Sequence, residues 1–127
     1  MDYQFKKFEN KNVRLESRIT ITKSNSIGFP QRFYQDNKIG SYKFVVLFWD
    51  VAKQAIGIYF TDDEKEENKF KILHSKAGYG GSIVARSFFR SNNIDTQIYC
   101  GRYDWEKVKM EEVGTLFAIK LQEQKKL

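Results

Sequence analysis

The sequence predicts an α+β domain that is mostly β, and three observations carry that expectation. Residues 13–22 alternate strictly between apolar and polar side chains; residues 42–49 form a near-continuous run of aromatic and β-branched residues; and the order strand, short helix, strand, strand occurs twice. The chain has 127 residues, of which 41% are hydrophobic and 16% aromatic, enough to build one ordinary core. No apolar stretch is long enough to span a membrane, and the N-terminal residues lack the apolar segment of a secretory leader. Cys100 is the only cysteine, which excludes an internal disulfide framework and suits a reducing cytoplasmic setting.

In the first strand, Val13, Leu15, Ile19 and Ile21 share one parity, and Arg14, Glu16, Arg18, Thr20 and Thr22 the other. That pattern predicts a half-buried strand with Arg14 and Arg18 on its solvent face. The preceding residues 1–11 are polar apart from Tyr3, Phe5 and Phe8, and read either as an edge strand or as a mobile arm. Pro30 favours the start of a short helix, with Phe29, Phe33 and Tyr34 as its apolar side and an end near Asn37. The run at 42–49 predicts a strand covered on both faces, with residues 55–60 as its hairpin partner.

The acidic segment 62–68 reads as an exposed connector, and Phe70 and Ile72 as a short strand. Residues 74–81 (HSKAGYGG) form a glycine-rich turn, after which 82–92 are expected to be helical with Ile83, Val84, Phe88 and Phe89 inward. Residues 96–103, containing Cys100, and 114–122 supply the last strands, joined by a polar connection at 104–113.

A shift of 55 residues lays 29–39 on 84–94: Phe33/Phe88, Asn37/Asn92 and Ile39/Ile94 are identical, and Tyr34/Phe89 and Phe29/Val84 are similar in kind. The expectation is one domain over 1–127, an imperfect tandem repeat of units at about 19–61 and 81–122 sharing one core. Phe29-Pro30-x-x-Phe33-Tyr34-x-x-Asn37-Lys38-Ile39, then Gly40 and the strand from Tyr42, resembles the AbrB/MazE/MraZ-type swapped-hairpin fold. The resemblance covers about 19–61 and, more weakly, 81–122. It implies two interlocked half-barrels that bind double-stranded DNA through basic residues near the helices, as in transcriptional control. The family's helical arginine falls at Tyr34 and Phe89, its leucine at Asn37 and Asn92, and Ala85 replaces the proline in the second unit. Antiparallel strands with a basic face and many aromatics are also similar to PC4/Whirly-like single-stranded-DNA-binding domains.

The chemistry in the residues points to binding rather than catalysis. His74 is the only histidine, and no cluster of His, Cys, Asp and Glu has the spacing of a triad or a metal site. The turn before residue 82 lacks both the spacing and the lysine of a nucleotide-binding loop. No enzyme, cofactor or metal is therefore expected. The chain carries 22 Lys+Arg against 16 Asp+Glu, a net charge of +6. Residues 1–49 hold +5 and residues 74–103 hold +3, separated by a segment at −2. Arg14, Arg18, Arg32, Lys38, Lys76, Arg86 and Arg90 are the candidate phosphate contacts. Arg86 and Arg90, four apart, would face one phosphate strand, with Lys76 reaching across from the glycine-rich turn. An antitoxin-like protein–protein interaction domain is the rival class, and the sequence leaves the oligomeric state open, a homo-oligomer included.

Overall fold

The computed structural model describes residues 3–5 and 16–123. Strands β1 (Ile19–Ile21) and β2 (Ser26–Pro30) are joined by a turn at 22–25, where Asn25 is left-handed (φ 67°). Helix α1 (Gln31–Asp36) follows directly on Pro30 and leads through a 3-10 turn, Ile39–Ser41, into the hairpin β3 (Phe44–Asp50) and β4 (Ala55–Thr61). An irregular segment at 62–69 precedes β5 (Phe70–Lys71), β6 (Leu73–His74), a 3-10 turn at Lys76–Gly78 and β7 (Gly80–Val84). Helices α2 (Arg86–Ser91) and α3 (Thr96–Tyr99), β8 (Gly101–Tyr103) and the hairpin β9 (Glu106–Met110) and β10 (Gly114–Lys120) complete the chain.

These strands form two five-stranded antiparallel sheets, ordered β6-β7-β2-β1-β8 and β5-β3-β4-β10-β9. Both draw on both halves of the chain: β2 pairs with β7, β1 with β8, and β4 with β10. The first sheet turns Ile19, Ile21, Ile27, Phe29 and Ile83 into the core; the second turns in Val45, Ile56, Ile58, Phe60, Phe117 and Ile119. Phe33 of α1 is fully buried among Phe29, Phe60, Trp105 and Phe117, with ring centroids 5.0–6.2 Å away. Edge-on packing against Trp105 and Phe117 and stacking on Phe29 add to the area term, which makes Phe33 a principal anchor between helix and sheets.

The two helices end alike. Asn37 and Asn92 donate their side-chain amides to Phe33 O (3.0 Å) and Phe88 O (2.9 Å). Lys38 and Asn93 then take left-handed backbones (φ 54° and 55°), and Ile39 and Ile94 are buried.

Several elements depart from the sequence reading. Of residues 13–22 only Ile19–Ile21 are seen as strand, and Val13, Arg14 and Leu15 lie outside the described residues. Residues 82–84 are strand rather than helix because Ile83 sits opposite Ile27 in the β2–β7 ladder. Val84 consequently points outward and is 53% exposed while Phe29 is 2% exposed, so the two residues that a shift of 55 superposes differ in burial. Residues 96–99 are helical because the Asp95 carboxylate accepts Gln97 N–H (2.9 Å) and starts a turn there. Cys100 therefore follows a helix and is half-buried. The connection 104–113 contains β9, an edge strand whose five residues are all exposed and so carry no burial pattern.

Candidate nucleic-acid interface

The antiparallel β2–β7 ladder fixes where the basic groups lie. Pro30 is opposite Gly80 and Ser26 opposite Val84, so α1 leaves one end of the ladder and α2 the other. Each helix meets the turn of the opposite hairpin. At the α1 end, Gln35 Nε2 donates to Gly78 O (3.3 Å), bringing Lys76 and Tyr79 beside Arg32. At the α2 end, Ala85 N–H donates to Asn25 O (2.8 Å), and Gln97 Nε2 donates to Lys23 O (3.2 Å). Lys23 thus joins Arg86 and Arg90. Lys76 belongs with α1 and not with the α2 arginines, because β7 carries the glycine-rich turn to the Pro30 end.

His74 helps to hold the first end together. Its Nε2 lies 2.9 Å from Tyr42 O, a group that can only accept, so the hydrogen resides on Nε2. Nδ1 of the neutral ring then accepts from Tyr34 OH at 2.8 Å. Both ring nitrogens are engaged in tying β6, α1 and the entrance to β3.

The cations differ in what they already bind. Arg32 Nε is 2.9 Å from Asp36 Oδ2, one turn on in α1. Arg18 grips Glu16 through two bonds of 2.9 Å, with Arg102 a further 3.6 Å from that carboxylate. The Arg18 hydrogen bonds hold the Glu16 carboxyl well below its ordinary 4.5, at about 2, and Glu16 raises the Arg18 guanidinium in return. Lys23, Lys76, Arg86 and Arg90 are exposed, and none has a carboxylate within ion-pair distance among the described residues. Lys38 stands apart, at a shallow cavity of about 350 Å³ that it shares with Asp36, Tyr42 and Lys107. Arg14 lies outside the described residues.

Between the two ends runs the outer face of the first sheet. One row across it reads Leu73, Ser82, Gly28, Thr20 and Arg102. Sequence reasoning missed Lys23 and Arg102. Lys23 lies in a turn flanked by Thr22, Ser24 and Asn25, where turn chemistry was legible but its neighbour in space was not. Arg102 alternates with Tyr103, which is buried, and the strand parity of the segment was the available signal.

No group of three His, Cys, Asp or Glu side chains that could hold a metal ion occurs among the described residues, and no helix there is long and apolar enough to cross a membrane. Compared with known proteins, the chain matches no family model, no curated protein and no solved structure.

Proposed function

We propose that this protein is a non-catalytic nucleic-acid-binding module, directed first at double-stranded DNA and serving transcriptional control. The observation that carries this reading is the placement, at the two ends of one strand ladder, of exposed cations that have no carboxylate within ion-pair distance among the described residues: Lys23, Arg86 and Arg90 at one end, Lys76 at the other. Five residues at ~3.4 Å each separate the ends by roughly 17 Å, within the ~34 Å of one duplex turn. Both ends are therefore close enough to meet the backbone of one duplex turn. Phosphate contacts of this kind supply affinity through counterion release and fix orientation without reading bases.

The same reading treats the chain as a tandem of two related units in an AbrB-like barrel. The identical helix ends at Asn37 and Asn92 support it, as does the antiparallel pairing of β2 with β7 and of β4 with β10. Ala85 is then an inserted residue: strand positions correspond at a shift of 54, which keeps inward residues inward, and helix positions at 55. Single-stranded nucleic acid is the second reading, favoured by Tyr79, which is 64% exposed beside Lys76 and presents a ring for base stacking.

The test is a titration of labelled duplex and single-stranded DNA between about 50 and 200 mM salt. Binding that weakens linearly in log–log form is expected, with a slope shallower by ~0.9 for each phosphate contact removed by Arg86→Ala and Arg90→Ala. No binding to either substrate at about 50 mM salt, up to roughly 100 μM protein, overturns the reading.

A further inference from the structure

The two ends of the β2–β7 ladder carry different chemistry. At the α2 end stand the cations Lys23, Arg86 and Arg90, and no residue of the 22–25 turn, α2 or α3 offers an exposed ring. At the α1 end Lys76 is joined by Tyr79, which is 64% exposed. Apart from Tyr3 and Phe5 near the N-terminus, Tyr79 is the one exposed Phe, Tyr or Trp among the described residues. Its ring stacks on no other ring there, and its hydroxyl bonds to no protein group there. The turn that carries it is fixed. Ser75 N–H donates to Gly80 O (2.9 Å) and closes it, and Gln35 Nε2 donating to Gly78 O ties it to α1. Tyr34 lies against it: a Cβ on Gly78 would stand 4.0 Å from that ring, and one on Gly81 3.3 Å from it. Ala77, Gly78 and Gly80 have φ of 56°, 72° and 127°. Glycine takes such values freely, whereas Ala77 adopts its left-handed backbone only because the surrounding contacts hold it there. A turn held in this way has its ring already in place, so little conformational freedom is lost when a planar group stacks on it.

We propose that Tyr79 stacks on an unpaired base, and that the ligand is a DNA duplex continued by a single strand. Duplex phosphates then meet Lys23, Arg86 and Arg90, the first unpaired base meets Tyr79, and its phosphate meets Lys76. The inference rests on the nucleic-acid reading above and narrows its substrate to a junction. Inside a duplex each base face is covered by its neighbours, so a ring at the protein surface meets a base face without unstacking only where pairing ends. Strand β7 links the two sites, with Tyr79 directly before Gly80 and Arg86 two residues after Val84. The ladder's length of roughly 17 Å corresponds to about five base steps at ~3.4 Å each. The two ends thus divide the work: charge alone suits phosphates, whose contacts read no base, while a ring beside a cation suits an unpaired nucleotide.

Fluorescence anisotropy of the full chain at low salt tests this with a blunt duplex and with the same duplex extended by a 3′ or a 5′ single strand, 2-aminopurine being the first unpaired base. At least one extended duplex is expected to bind about tenfold tighter than the blunt one, or ~1.4 kcal/mol, and 2-aminopurine emission should fall as the ring stacks on it. Tyr79→Ala should remove the quench and bring the extended duplex down to the blunt one's affinity. Its salt slope should not change, because stacking releases no counterion. Tyr79→Phe, which keeps the ring and the turn, should restore both the preference and the quench. Blunt and extended duplexes bound equally overturn the junction while DNA binding itself stands. A preference that survives Tyr79→Ala, with the quench, overturns the role of the ring. Binding to none of these DNAs overturns the nucleic-acid reading, and the junction with it.

Discussion

Helices α1 and α2 have the same length, an asparagine at the C-cap and a left-handed residue after it (Lys38 and Asn93), yet they are used differently. Helix α1 is tied in at every turn. Phe33 is buried among four aromatic rings, Tyr34 is bonded to His74, and Arg32 is paired with Asp36. Helix α2 buries Phe89, leaves Phe88 only partly covered against Trp49, and has no carboxylate beside Arg86 or Arg90 among the described residues. One local frame thus serves as an anchor at one end of the ladder and as a charged surface at the other. The difference teaches that a shared backbone pattern sets where side chains point, while their identities decide whether they face inward partners or external ones.

The largest test of that contrast is truncation of the two equivalent phenylalanines. Phe33→Ala is expected to lose about 3–5 kcal/mol of stability, as for a fully buried ring, and Phe88→Ala about 1–2 kcal/mol. Urea denaturation compares them directly; equal losses would erase the distinction between the ends. Next comes the ladder that separates the ends. Gly80 has φ 127°, and a Cβ there would lie 2.7 Å from Phe29 O, whereas one at Gly28 would meet Thr20 Cβ at an ordinary 3.7 Å. Gly80→Ala should cost about 1–3 kcal/mol, and Gly28→Ala should stay within about 0.5 kcal/mol.

Binding sharpens the comparison further. Arg32→Ala, which removes a cation already facing Asp36, should leave the salt slope of DNA binding nearly unchanged, while Arg86→Ala makes it shallower by ~0.9. Equal slopes for the two variants would mean that both ends contact phosphate alike. The smallest effect concerns Glu16. Its folded pKa is depressed, so its contribution is present above the ordinary carboxylate range and is lost as pH falls from 4.5 toward about 2. Glu16→Gln should flatten the stability–pH curve in that window alone, and salt should shrink the difference because the pair is largely solvated.

The sequence made the mostly β architecture legible wherever a side-chain period was tied to burial. The β3–β4 hairpin, the acidic connector and helix α1 stand close to where alternation, charge and Pro30 put them. Ile83-Val84 was ambiguous because two adjacent apolar residues fit a helix face and a strand edge equally well, and only the partner strand resolves them. The sequence expects a strand over 96–103, but Asp95 caps a turn and Thr96 is buried with its hydroxyl 3.2 Å from both Lys23 O and Asn25 Oδ1, so 96–99 are helical. β9 is an exposed edge and had no period to show. For the candidate site, the exposed arginines of α2 were found from their spacing. Grouping Lys76 with them failed because proximity between loops is set by antiparallel pairing of distant strands, which no local pattern records.

That same interleaving sets the order in which the protein can fold during its own synthesis. Strands β1, β2 and β4 find their partners β8, β7 and β10 only after the second half of the chain has been made. No sheet can close while the ribosome is still in the first half, so the usual gain from N-terminal domains folding first is lost. Until then the β3–β4 hairpin has only itself, with Phe44, Val46 and Phe48 open on one side and Val45 and Leu47 on the other. Such long-range pairing folds on the millisecond-to-second scale, and a chain halted in the acidic connector would present an unclosed apolar hairpin to chaperones and proteases.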